Sequence, residues 1–166
     1  MIDIKKIIIL FLSVFFATHG VASDINELHT QNSGSDLHKL EDESLKLLEL
    51  AFEHIDRVGL GQALIDFRNS PWKREANQLH IWGMTDQKVD WYDAGHQEYE
   101  GISFDGVPDL NGLMFADEVL KHVHEEKPMI THMVFPHPVT TIPSDAMVVC
   151  KFLLDDKHLC TGAFLE

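Results

Sequence analysis

The chain has 166 residues, 45% of them hydrophobic and ten of them Phe, which excludes a disordered chain and suits one domain with its own core. Its net charge of −14 opposes binding to nucleic acid or anionic lipid, because both require cationic side chains to meet phosphates.

The chain opens on an export pattern. Lys5 and Lys6 precede an apolar run from Ile7 to Phe16, broken only by Ser13, and the small residues Gly20 and Ala22 follow. That order is a positive end, a short hydrophobic core and a small-residue cleavage site. The run is shorter than the ~20 residues a membrane span needs, which disfavours the competing reading, an uncleaved anchor. Cleavage after Ala22 would release a soluble chain of 144 residues into the periplasm or beyond the cell, with no stable membrane insertion afterwards.

Residues 23–34 are polar and predict a flexible lead-in. Residues 35–166 then read as a single domain. Leu37, Leu40, Leu47, Leu48, Ala51, Phe52, Ile55 and Val58 recur at three- and four-residue steps, with Lys39, Glu41, Asp42, Glu43, Lys46, Glu49, Glu53 and Asp56 on the other side. This predicts a long amphipathic helix, capped by Ser35 or Asp36 and ended by Gly59 with Gly61. A short helix fits Gln62 to Phe67, closed by Pro71.

The period then becomes two. Leu79, Ile81 and Gly83 alternate with His80, Trp82 and Met84, and Val89 to Tyr92 follows a turn at Thr85–Lys88, predicting a hairpin. Residues 93–112 are rich in Gly, Asp and Pro, and a stretch that long without regular structure is usually functional. A helix is predicted from near Asn111 to before Pro128, then strands at Met129–Phe135, Ala146–Leu154 and Lys157–Leu165. Helices first and mostly antiparallel strands after them give an α+β fold.

Catalytic and metal motifs do not converge. His122 and His124 would point apart on a helix, and no His-Glu-x-x-His, Cys-x-x-Cys or Gly-x-Ser-x-Gly occurs. Cys150 and His158 would lie on adjacent strands, where a structural pair is the simpler reading than a thiol–imidazole couple. Loop acids such as Asp105 and Asp109 more often hydrogen-bond their own backbone than transfer protons. No nucleotide loop is present, no cofactor or metal is called for, and the chain does not read as an enzyme.

The cysteines pose a question of register. A two-residue turn at Asp155-Asp156 pairs Leu154 with Lys157 and sets Cys150 opposite Thr161; a three-residue loop sets it opposite Cys160, at a spacing that suits a bridge. Asp-Asp is a poor two-residue turn, which wants φ > 0 at both positions. A disulfide and a pair of buried thiols both remain open.

Several segments together resemble an extracytoplasmic single-Cache domain. They are the strand Leu79–Thr85 with its turn at Asp86, the loop Val107-Pro108-Asp109-Leu110-Asn111-Gly112, and Val134-Phe135-Pro136-His137-Pro138-Val139-Thr140, similar to that family's aromatic–x–x–Pro stretch. The last is Leu159-Cys160-Thr161-Gly162-Ala163-Phe164, which looks like its final strand. The resemblance covers roughly residues 37–166. It implies a long N-terminal helix packed on a PAS-like antiparallel sheet of five or six strands. It also implies a small-molecule pocket between sheet and long loop, and sensing rather than catalysis.

Such domains commonly form the outer part of a receptor held by two membrane helices. Here no second hydrophobic helix follows, which reads as a free-standing binding module working with a membrane receptor or other protein. The family often has a Lys near the start of the penultimate strand that pairs with a ligand carboxylate. Ser144-Asp145-Ala146-Met147 stands there instead, turning the expectation toward an uncharged, cationic or aromatic ligand. Matched onto the family's pocket, the lining is Trp82, Trp91, Tyr92, Asp109, Met133, Phe135, His137 and Met147. The rival reading is a secreted protein-interaction scaffold whose pocket is filled by side chains.

Overall fold

A computed structural model describes residues 33–74 and 78–165, with side chains described from Leu37 onward. The expected signal segment 1–22 and most of the lead-in lie outside the described residues, as do the side chains of the expected caps Ser35 and Asp36. Among the described residues no helix is long and apolar enough to cross a membrane.

The first helix, α1 (Ser33–Val58), follows the predicted stripe. Leu40, Ser44, Leu48 and Ala51 are buried at four- and three-residue steps, while Lys39, Asp42, Lys46, Glu49, Glu53 and Asp56 are exposed. Gly59 ends it at φ 82, a left-handed conformation that suits glycine, and its N–H donates to the Ile55 carbonyl at 2.8 Å. Gly61 was expected to share that role; it lies instead inside α2 (Leu60–Phe67). His54 ties the two helices: Arg57 donates to its Nδ1 and its Nε2 donates to Asp66, each at 2.7 Å.

Five strands follow: β1 (His80–Thr85), β2 (Asp90–Asp93), β3 (Ile130–Pro136), β4 (Pro143–Leu154) and β5 (Lys157–Phe164). They form one sheet in the order β2-β1-β5-β4-β3, antiparallel at every pairing. The architecture is therefore α+β, a helix-backed PAS-like antiparallel sheet. Both faces are buried, so each strand serves two cores. Ile81, Leu159, Val149 and Met147 pack on the helix side with Leu48, Ala51, Leu40 and Phe67. There Thr161 Oγ1 donates to the Ser44 carbonyl at 3.0 Å and the Tyr92 hydroxyl to the Leu64 carbonyl at 2.8 Å. Burying each large apolar side chain contributes ~1.5–3 kcal/mol.

The opposite face carries Trp82, Met84, Met133, Ala146, Val148 and the two cysteines, covered by α3 (Phe115–Leu120) and residues 94–114. The third helix is much shorter than the one expected from Asn111 to before Pro128. Its start is delayed because the Asp109 carboxylate takes the N–H groups of Asn111 and Leu113, and Gly112 has φ 85. Beyond Leu120 the chain passes into turns, with Glu125 N–H on the His122 carbonyl and Phe152 N–H on the Val123 carbonyl.

Cys150 and Cys160 are directly paired and form a disulfide between β4 and β5, with Cα atoms 4.1 Å apart. The register arises by a route between the two anticipated. The turn is the two-residue Asp155-Asp156, pairing Leu154 with Lys157, but a bulge between Phe152 and Leu154 inserts one residue and resets the register. Asp155 adopts φ 55 while Asp156 stays at negative φ, so this turn takes positive φ at one of its two positions rather than both. Reduction is expected to destabilise the fold by about 2–3 kcal/mol, read as a lower urea midpoint in the presence of a phosphine reductant; an unchanged midpoint would contradict it.

Candidate functional site

Between the covered face of the sheet and the segment 94–114 lies a cavity of about 300 Å³. Strand alternation builds its floor: Trp82 of β1, Met133 of β3, Ala146 and Val148 of β4 and Gly162 of β5. Gly162 keeps the floor open, since a Cβ there would come within 3.1 Å of the Met147 carbonyl and 3.4 Å of the Trp82 indole nitrogen. Phe104, Val107 and Phe115 roof it, and Phe135, Pro136 and Pro138 close one side. Phe104 meets Trp82 and Phe115 edge-on at 6.0 and 5.2 Å between ring centroids, and Phe115 meets Phe135 at 5.3 Å.

The remaining wall is polar: Gln78, His80, Asp90, Asp93, His96 and Tyr99. Asp93 is 4% exposed. Its Oδ1 accepts the N–H groups of Gly95 at 2.8 Å and His96 at 2.6 Å, with His80 Nε2 at 3.1 Å. His80 Nδ1 donates to the Gln78 carbonyl at 2.6 Å. Burial pushes the Asp93 carboxyl up, but His80 and then the His96 and Gly95 N–H groups outweigh it and hold the carboxyl below its ordinary value.

Asp90 contrasts with it. Its Oδ1 accepts the Tyr92 N–H at 3.0 Å, while Oδ2 is buried with no partner among the described residues. Burial, and then the negative charge of Asp93, push the Asp90 carboxyl up to about 8, against the opposing Tyr92 N–H.

Of the residues expected to line a pocket, Trp82, Met133 and Phe135 border this cavity. Met147 also borders it, but its sulfur lies on the helix side of the sheet, where Ser44 Oγ donates to it at 3.7 Å. The other four lie elsewhere. Trp91 is the bulged residue of β2; its indole covers Gly83 and donates to the His158 carbonyl at 3.1 Å. Tyr92 alternates onto the helix side. The Asp109 carboxylate is consumed by three backbone N–H groups, those of Asn111 and Leu113 at 2.8 Å and Val134 at 2.9 Å. Burial raises the Asp109 carboxyl, yet the Val134, Leu113, Asn111 and Gly112 N–H groups outweigh that and lower it. His137 Nδ1 accepts from the N–H groups of Val139 and Thr140 at 3.2 and 3.3 Å, shaping the β3–β4 loop, and its ring packs on Phe164.

Sequence reasoning missed His80, Asp90, Asp93 and His96. A signal was present: Asp90 pairs with Met84 and Asp93 with Trp82, so both carboxylates share the face of those apolar residues. Among the described residues no group of three or more His, Cys, Asp and Glu could hold a metal ion. His132 meets Glu41 and His122 meets Glu125, while the bonded Cys150 offers no thiol to His158.

No protein-family model and no curated protein matches this sequence. Solved structures do resemble it. A methyl-accepting chemotaxis protein from Vibrio parahaemolyticus RIMD 2210633 superposes with a TM-score of 0.66 at 12% identity, over 80% of this chain and 93% of that one. The periplasmic sensor domain of a chemotaxis protein gives 0.56 at 15% identity, over 87% of this chain and all of that one. A Cache chemosensory domain, described for its recognition of carboxylic acids, gives 0.55 at 13% identity over the same shares, 87% and 100%. The chain thus has the PAS-like Cache fold seen in sensor domains of chemotaxis proteins.

Proposed function

We propose that this chain is an extracytoplasmic Cache-type sensor domain, exported by its N-terminal segment, that binds a small molecule in the cavity beneath residues 94–114 and passes its occupancy to a protein partner. The observation that carries the reading is the cavity itself. About 300 Å³ of mostly apolar space with buried polar groups gathered at one wall is the form of a small-molecule site. The fold shared with chemotaxis sensor domains supports sensing rather than catalysis.

Thermal-shift screening of several hundred metabolites against residues 23–166 tests this. A ligand at a hundredfold excess over its Kd adds ~2.7 kcal/mol, several degrees in Tm for a domain of this size. The reading expects such a shift from a small, chemically related set of compounds. A flat response across the whole library would contradict it.

A further inference from the structure

We propose that the cavity selects an organic cation, a compact ammonium group on an apolar or aromatic body, with the ammonium seated on the Asp90 carboxylate; this rests on the reading of the cavity as a ligand site. Asp90 is 1% exposed, lines the cavity and leaves one carboxylate oxygen unpartnered among the described residues. Its backbone is fixed, with its N–H on the Ile102 carbonyl at 2.9 Å and its carbonyl accepting the Gly101 N–H at 2.7 Å. The Tyr92 N–H holds Oδ1 at 3.0 Å, which fixes the orientation of the carboxyl and leaves Oδ2 as its buried, unpartnered oxygen among the described residues. A buried polar oxygen without a partner is costly, and once its proton has left, an ammonium group supplies donors together with an opposite charge.

The surroundings favour that sign. Asp93 adds a second negative charge; its Oδ1 is engaged by the Gly95 and His96 N–H groups and by His80, whereas Asp90 Oδ2 has no partner among the described residues. Among the described residues no Lys or Arg borders the cavity and His80 is already paired with Asp93, so an anionic head would meet the Asp90 and Asp93 carboxylates. The faces and edges of Trp82, Phe104, Phe115 and Phe135 suit the apolar body. The chain's net charge of −14 draws cations toward it at long range.

The choice has a pH signature. The Asp90 carboxyl, raised to about 8, carries its proton in the empty cavity at neutral pH. An ammonium ligand must displace that proton to solvent, so its affinity rises with pH up to about 8, by at most ~10-fold per unit. A ligand presenting an acceptor would use the protonated carboxyl as donor and weaken over the same range. Among the described residues the other titratable or charged groups near Asp90 are His80 of β1, Asp93 of β2 and, on the segment 96–100, His96, Tyr99 and Glu100, the last paired with Arg68 at 2.7 Å. An Asp90→Asn variant separates their contribution from that of Asp90.

The experiment is calorimetry on residues 23–166 with matched probes: 2-phenylethylamine against 3-phenylpropanoate, and isoamylamine against 4-methylpentanoate. The amines are expected to bind at least ~10-fold more tightly than their carboxylate partners and to tighten at least ~5-fold from pH 6 to pH 8. Asp90→Asn should lose at least ~10-fold in amine affinity and flatten the pH dependence. Carboxylates binding as tightly as amines, amine affinity that falls with pH, or an unaffected variant would each overturn the inference. The pH series on the unmodified protein decides the matter even if the variant does not fold. If all four probes fail while another metabolite binds in the cavity, the cation inference falls and the cavity reading stands; if no compound binds, both fall.

Discussion

Asp109→Ala is expected to destabilise the domain by about 3–5 kcal/mol, because the buried carboxylate accepts three backbone N–H groups that would be stranded without it. Each stranded donor costs ~1–3 kcal/mol, reduced where water can enter near the loop surface. The residue clamps the cavity's cover to the sheet: it holds the turn 109–113 and reaches across to Val134 of β3, where the Leu110 N–H also donates to the Val134 carbonyl at 2.9 Å. Val107 and Phe115, both in the roof, lie on either side of that turn. Urea unfolding should show the full loss, and hydrogen exchange at Val134 should accelerate well beyond the change at β5. The acid limb changes as well. The folded carboxyl lies below its ordinary value, so its contribution is present above about pH 4 and disappears as pH falls through the depressed value. The variant should therefore lose less stability on acidification than the unmodified chain. A loss under 1 kcal/mol would mean the clamp is not what holds the roof.

Ala146→Phe is expected to abolish ligand binding, by at least ~100-fold or about 2.7 kcal/mol, while leaving the fold intact. Ala146 is buried in the cavity floor opposite Met133, and a phenyl ring is smaller than the 300 Å³ available. Filling empty apolar space does not strain neighbours, whereas forcing a ring into a packed core costs ~1–3 kcal/mol. Stability and binding thus report on the cavity independently. An unchanged Tm with binding lost supports an open site; a large fall in Tm would mean the floor is already packed, as the scaffold reading requires. The most strongly stabilising compound from the thermal-shift screen serves as the binding probe.

The elements with one strong period were legible in the sequence. Leu40, Leu48 and Ala51 announce α1, and the alternation through Ile81 and Trp82 announces β1, because each repeats a spacing that only one backbone geometry satisfies. The short third helix was not, since its apolar residues suited a helix while the decisive event was a side-chain carboxylate capturing backbone N–H groups at 109–113. The cysteine register was legible only as a choice, because a bulge at Leu153 leaves no mark in composition.

The site was half legible for a related reason. Trp82, Met133 and Phe135 are apolar residues on strands, and the face they occupy follows from alternation. Trp91 and Tyr92 mislead because the bulge in β2 changes the alternation just where they lie. Asp109 and His137 are polar residues in loops, the usual place for ligand groups, yet their acceptors are spent on backbone N–H groups, those of their own loops and, for Asp109, of Val134 in β3. Asp90 and Asp93 were passed over because a buried carboxylate is rare, and nothing in a single strand's composition marks which acid is left unpaired.

A crystal structure of residues 23–166 grown with the most stabilising compound from the screen tests the central claim most directly. The account predicts density for that compound between Trp82 and the roof residues Phe104 and Phe115, with a donor of the ligand within hydrogen-bond distance of Asp90 Oδ2. A structure in which Phe104, Phe115 and Phe135 close over the floor and fill the space, with the compound bound elsewhere, would contradict it.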